Sequence, residues 1–405
     1  MKMQIVRFGD LYAIPSGNGL SRPTAVRGEG YRMIGMGELF ANDIINDIEM
    51  DRVQMSDREK QSFFVEPDDL LFARQSLVAA GAGKCSIVKE LEEPTTYESH
   101  LIRVRLDKNK CNPWYYFYLF KLPDNPIKTI VNQCAQAGIR GNELVKIKVP
   151  LPPRPYQDRI VSVLSTYDNL IEVNNKRIKV LEQIAENLYK EWFVRFRFPG
   201  HETTELENGI PLGWTQKRAD QAIVFNPTIG DSKQDQYTII PMESLSTSSM
   251  VLDSNSFVIQ ESLSGKRSQN GDTLFAKITP CLENGKTGFV MGMPEGTVCG
   301  GSTEFIVLRS KTLTSHYIYF LARSYYFRQT AILSMNGADG RQRVDEHKMK
   351  STKIIQPPKA ILDAFEGYVS PIFEMVHRLV VENNNLIKQR DLLLPRLMSG
   401  KLEVK

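Results

Sequence analysis

The stretch NNKRIKVLEQIAENLYKEWFVRFRFPGHE, Asn174–Glu202, begins as an amphipathic helix, turns aromatic and basic, and stops at Pro199-Gly200. A second stretch, NNNLIK at Asn383–Lys388, matches its start and sets a common register for two helices. Along the first, Leu164, Tyr167, Ile171, Asn174, Ile178, Leu181, Ala185, Leu188 and Trp192 alternate by three and four. Along the second the same spacing picks out Phe373, Val376, Val380, Asn383, Ile387, Arg390, Leu394 and Leu397. That spacing keeps one seam turned towards a partner helix. Asn174 and Asn383 fall at equivalent seam positions, and a polar seam residue fixes register at a cost in stability. Two amphipathic helices packed on their own domains would show the same spacing. The matched asparagines favour helix against helix.

The rest of the chain is also duplicated. EPDDLLFARQS (Glu66–Ser76) is echoed by QNGDTLFAKIT (Gln269–Thr279), and GKCSIV (Gly83–Val88) by GKTGFV (Gly285–Val290). SHLIRVRL (Ser99–Leu106) is set against STEFIVLR (Ser302–Arg309), and WYYFYLF (Trp114–Phe120) against HYIYFLA (His316–Ala322). YRMIGMGEL (Tyr31–Leu39) matches YTIIPMESL (Tyr237–Leu245). Five matches in order, each displaced by roughly 200 residues, mark a duplicated domain. Pro152-Pro153 and Pro357-Pro358 then lead into the two helical stretches as rigid joints. The expected plan is mixed α+β: a globular unit over 1–153, a helix over 154–198, a second unit over 199–357 and a helix over 358–405. LIRVRL and FIVLRS read as strands; the aromatic WYYFYLF and HYIYFLARSYYF suit buried helices slightly better.

Composition bounds the function. Hydrophobic residues make up 41% and charged residues 24% of 405, with a net charge of +4, as in a soluble, mildly basic multidomain protein. No apolar run is long enough to span a bilayer, and MKMQIVRFGD lacks the apolar core of a signal peptide. Cys85, Cys111, Cys134, Cys281 and Cys299 are scattered and form no Cys-x-x-Cys pair, so reduced thiols are expected, not zinc or disulfides.

Three sequences resemble catalytic motifs and fail on inspection. GAGKCS (Gly81–Ser86) ends like a phosphate-binding loop, but Val78 stands where the first glycine belongs and Cys85 where Ser or Thr should hold magnesium. Asn112-Pro113-Trp114-Tyr115 resembles the Asn-Pro-Pro-aromatic motif of amino-methyltransferases, with Trp114 in place of the second proline. A helix start explains it better, although a stand-alone DNA amino-methyltransferase remains the alternative function. The acid pairs Asp68-Asp69 and Glu92-Glu93 lack a nuclease-like continuation. A duplicated unit without a catalytic centre is a binding protein, with a scaffold lacking any nucleic-acid partner as a further alternative.

Two units on antiparallel helices would carry an approximate two-fold axis. A helix of about 35 residues is roughly 50 Å long, a scale that suits DNA half-sites one turn apart. The loop AGIRGNELVKIK (Ala137–Lys148) offers Arg140, Asn142 and Lys146, and NGADGRQRVDEHKMK (Asn336–Lys350) offers Arg341, Gln342, Arg343 and Lys348. Arginine can read guanine bidentately, and Asn or Gln can read adenine. Arg74, Lys84, Lys277 and Lys286 lie at matched positions and are candidates for phosphate contacts.

At these residues the chain resembles a known family. LPPRPYQDRIVSVLSTYDNLIEVNNKRIKVLEQIAENLYKEWFVRFRFPGHE (Leu151–Glu202) looks like the central conserved region of the DNA specificity subunits of type I restriction–modification systems. IPLGW (Ile210–Trp214) resembles the entry to their second recognition domain, and LLLPRLMSGKLEV (Leu392–Val404) their C-terminal ending. The resemblance implies two target-recognition domains, a split DNA target, and an antiparallel coiled coil as spacer. It implies no catalysis and no cofactor in this chain. Two methylation subunits using S-adenosylmethionine, and two restriction subunits using ATP and magnesium, would dock on it in a bacterial or archaeal cytoplasm. Tyr189, Trp192, Phe193 and Phe196 are then a candidate docking edge, with hydrophobic packing at a domain joint weighed equally against it.

Overall fold

The computed structural model describes residues 4–76, 81–132, 137–230, 235–337 and 340–403. Val78, Cys134 and Val404 lie outside the described residues. The chain divides into two compact units, Met1–Asn169 with Leu386–Lys405, and Leu170–Asn385. Each unit includes its own stretch of both long helices.

In the first unit five strands lie in the order Gly17–Asn18, Leu101–Val104, Leu70–Ala73, Cys85–Val88 and Ile44–Ile45. The three central strands are buried on both faces, which is why LLFA, CSIV and LIRV read as nearly unbroken apolar runs. Phe72, Ile87 and Ile102 pack towards the helix Pro113–Lys121 with Tyr116, Phe117 and Phe120. Leu71, Ala73, Val88 and Leu101 pack towards Ile34, Leu39 and Tyr97. A three-stranded sheet, Asp51–Val53, Arg27–Ile34 and Thr95–Tyr97, adjoins this second layer. Gln4–Arg7 pairs antiparallel with Lys148–Leu151, just ahead of the Pro-Pro joint.

The second unit repeats the plan. Ile223–Phe225, Phe305–Ser310, Thr273–Ala276 and Thr287–Phe289 form its main sheet, and Val258–Gln260, Tyr237–Ile240 and Gly300–Gly301 its smaller one. Thr215–Arg218 pairs with Lys353–Gln356. The ladders agree residue by residue: Leu101 faces Ala73 as Phe305 faces Ala276, and Ile34 runs beside Tyr97 as Ile240 runs beside Gly301. One alignment needs correction. The ladders set Leu101, not Ile102, against Phe305, ending with Arg105 opposite Arg309, a one-residue shift from the plain pairing of SHLIRVRL with STEFIVLR.

A buried ion pair explains the shift. Arg105 donates to Asp69 at 2.8 and 2.7 Å, and Arg309 donates to Asp272 at 2.7 and 2.7 Å. Both aspartates are 1% exposed. Each also accepts the backbone N–H three residues earlier, at 2.8 Å, closing the same turn in both units. Both aromatic stretches are helical, Pro113–Lys121 and Ser315–Arg323. The second unit adds a helix, Tyr325–Leu333, where the first has a short 3-10 turn, Pro126–Ile130.

The two long helices are Arg154–Tyr189, continued by a π-helical turn at Lys190–Val194, and Lys359–Met398. They run antiparallel within each unit. In the first, Tyr156 donates to the Leu397 carbonyl at 3.1 Å, and Arg390 pairs with Asp168. In the second, Asn174 Nδ2 donates to Asn383 Oδ1 at 3.0 Å, and Trp192 lies 5.9 Å from Phe365. Leu164, Asn174, Val376, Asn383, Leu394 and Leu397 are buried at this seam. Ile171, Ile178, Leu181, Leu188 and Val380 are half-buried, and Ile387 is exposed. The fold is therefore mixed α+β, with two repeated units and an antiparallel helical pair, as the heptads and the duplication predict.

Candidate nucleic-acid interface and helical seam

In the first unit, Ile139 N–H donates to the Arg74 carbonyl at 2.9 Å, and Gly138 pairs with Gln75. This contact sets exposed Arg74 beside the chain that leads into exposed Arg140. Gly138 is required there, because an added Cβ would stand 2.9 Å from the Arg74 oxygen. Asn142 and Lys146 follow, exposed, in and just after the helical turn Gly141–Leu144. Among the described residues no hydrogen bond or ion pair engages the side chains of Arg74, Arg140, Asn142 or Lys146. Arg74 and Arg140 flank one backbone contact at the end of the buried sheet, and Asn142 and Lys146 come from the turn that follows.

The second unit repeats that backbone contact with other side chains. Val344 N–H donates to the Lys277 carbonyl at 2.9 Å, as Ile139 does to Arg74. Arg343 bridges to Ile278 and Asn336, the place held by Gly138 in the first unit. Arg140 therefore corresponds to Asp345, not to the Arg341–Arg343 run. Asp345 caps the helix Glu346–Ser351, accepting from His347 and Lys348 N–H at 2.9 and 3.2 Å. Arg341 is exposed and Gln342 half-buried, and no partner engages either side chain among the described residues.

Four other candidates are occupied within their own unit. Arg343 forks onto Glu304 at 2.7–3.1 Å, which raises the arginine and holds the carboxyl below the usual carboxylate range. Lys277 lies 3.5 Å from Glu346. Lys84 donates to the Phe40 carbonyl at 2.6 Å and lies 3.5 Å from Asp43. Lys286 donates to the Met242 carbonyl at 3.2 Å. The two matched lysines thus tie down corresponding segments of the two units.

The catalytic look-alikes resolve into structure. Asn112 is the N-cap of the helix Pro113–Lys121: its Oδ1 accepts from Trp114 N–H at 3.0 Å, and Pro113 takes the first helical position. Its Nδ2 donates to Asp158 at 2.7 Å. Asp68 accepts the Trp114 indole N–H at 2.8 Å, and Glu93 pairs with Arg32 and Arg52. Among the described residues no group of three or more His, Cys, Asp or Glu is placed to hold a metal ion.

The aromatic end of the central helix is interior. Tyr189, Trp192 and Phe193 are 5–6% exposed and pack on Tyr317, Phe320 and Phe365. Phe196 is half-buried against Trp214. Of the two roles weighed for them, packing is the one their burial serves. The sequence reading missed a different apolar row. Leu170, Val173, Val180 and Ile184 are 44–56% exposed and share one helical face beside the seam. Steps of three, seven and four residues carry this row in the sequence, beside the stronger heptad.

Residues 2–183 match the family model of the type I restriction modification DNA specificity domain. The type I restriction enzyme MjaIX specificity subunit of Methanocaldococcus jannaschii is 27% identical over 306 residues, covering 72% of this chain and 69% of that protein. Over most of its length the chain is similar to type I restriction specificity subunits. Another specificity subunit of that organism, from the putative MjaX enzyme, is 24% identical across 80% of this chain and 76% of its own length. The solved type I S subunit from M. genitalium shares the fold at 10% identity, with a TM-score of 0.57 and coverage of 98% and 96%. Specificity subunits are the non-catalytic members of these systems, which agrees with an Asn112 used as a helix cap and sets aside the stand-alone methyltransferase.

Proposed function

We propose that this chain directs a type I restriction–modification complex to a bipartite DNA target, one unit reading each half-site. The observation that carries this reading is the duplicated backbone contact, one arrangement presenting Arg74, Arg140, Asn142 and Lys146 in one unit and Arg341 and Gln342 in the other. Different side chains on one scaffold are what two different words require. The helical seam would set the unread gap between the words. Two methylation subunits, supplying S-adenosylmethionine chemistry, and two restriction subunits, using ATP and magnesium, would dock on this chain in a prokaryotic cytoplasm. The exposed row Leu170, Val173, Val180 and Ile184 is the apolar surface on the central helix best suited to such a partner. Mapping methylated adenines in DNA treated with this chain and its methylation subunit tests the reading. Two short words with a constant gap are expected; one continuous word overturns it.

A further inference from the structure

The two long helices carry the same residue at one seam position and opposed chemistry nearby. Asn174 and Asn383 bond to each other, and Asn383 Nδ2 donates to Asn175 Oδ1 at 2.9 Å. An asparagine on both helices sets register, yet it cannot distinguish one helix from the other. The alignment of NNKRIK with NNNLIK that pairs the asparagines also sets Leu181 opposite Arg390 in sequence, and Asp168 opposite His377.

These positions differ sharply. In the first unit Asp168 is 8% exposed, accepts the Tyr118 hydroxyl at 2.5 Å, and pairs with Arg390. In the second unit Leu181 is half-buried, and His377 lies so close to Gly292 that an added Cβ would stand 2.2 Å from Nε2. Among the described residues its buried Nδ1 has no partner, and burial pushes the imidazole down, which disfavours its charged form. Phe320, aligned with Tyr118, carries no hydroxyl and packs on Tyr189 and Phe373.

Pairing of like with like then fails on charge. A central helix joined in this register to a second copy of itself would set Asp168 against Leu181, twice. A C-terminal helix joined to its own copy would set Arg390 against His377, which offers no negative charge, twice. Either arrangement buries charges without a counter-charge, which is strongly unfavourable. Only unlike helices bring Asp168 to Arg390. We propose that the Asp168–Arg390–Tyr118 cluster selects the partner of each helix, so that a central helix closes on a C-terminal helix and rejects a second copy of itself. This goes beyond DNA reading and does not depend on which target is read.

Full-length chains carrying single charge reversals, Asp168→Arg and Arg390→Asp, test it. Each is mismatched within itself. Between the two chains both pairings are complementary. An equimolar mixture unfolded and refolded together should form a two-chain species, measured by light scattering, at least about tenfold more than either variant alone. The double variant D168R/R390D should recover the wild-type mass and melting temperature in one chain. Identical mass distributions for the mixture and the single variants would overturn the proposal. So would a double variant as damaged as the singles.

Discussion

Replacing Asp272 with alanine should be among the most destabilising single changes in the second unit. Asp272 is 1% exposed and accepts two hydrogen bonds from Arg309, at 2.7 Å each, and one from Gln269 N–H at 2.8 Å. The change strands a guanidinium whose side chain is only 25% exposed. Breaking a buried pair from one side costs about 3–5 kcal/mol, and partial access to water places Arg309 near the lower end, at about 3 kcal/mol. Losing the turn-closing bond adds about 1 kcal/mol. For a unit of this size each kcal/mol lowers the melting temperature by about 2–4 °C, so a drop of roughly 8–16 °C is expected. Asp69→Ala should cost less, by about 1 kcal/mol. There Arg105 keeps an ion pair with Glu66 and a bond to the Phe64 carbonyl. Circular dichroism melts and urea titrations of both variants measure the difference. The double change Asp272→Leu with Arg309→Met should recover much of the loss, because no charge is then left stranded. A cost below about 1 kcal/mol for Asp272→Ala, or a larger cost for Asp69→Ala, would refute the reasoning.

The other predictions concern reading, spacing, docking and thiols. Arg341→Ala should relax one word of the target and leave the other intact, weakening the cognate site by about 5–150-fold, as seen in binding titrations on half-site variants. Seven residues added to both helices, between Asn174 and Leu188 and between Val369 and Asn383, should lengthen the gap by about 10 Å, or about three base pairs. The same insertion in one helix alone would misalign Asn174 and Asn383, so methylation mapping should find only the paired insertion active. Val173→Asp with Val180→Asp should abolish co-purification of the methylation subunit while changing the melting temperature by no more than about 2 °C, since both side chains are already exposed. An Ellman assay at pH 8 should label Cys281 well before Cys111 and Cys299, whose thiols burial pushes up to about 12 and about 11, and those two should react on unfolding.

The sequence by itself determined the duplication, the heptad register and the absence of a recognisable catalytic motif. Those properties are local or periodic: LLFA and TLFA both sit between turn residues, and NNKRIK recurs as NNNLIK. Arg140 and Arg341 stand out in the sequence as candidate reading groups because each lies on a glycine-flanked loop, and Arg74 as a candidate phosphate contact at a position matched by Lys277. Tertiary structure decided which charges are available. Lys84, Lys286 and Arg343 look like phosphate or base contacts in one dimension, but their partners Phe40, Met242 and Glu304 lie about 40 residues away in sequence. Tertiary structure also decided the fate of the aromatic end. Trp192 and Phe193 stand on a helix packed on Tyr317 and Phe365, more than a hundred positions onward, as well as on nearby Trp214, so only the folded second unit reveals them as core. Periodicity fixes which residues share a face; long-range packing decides which of those faces stays in water.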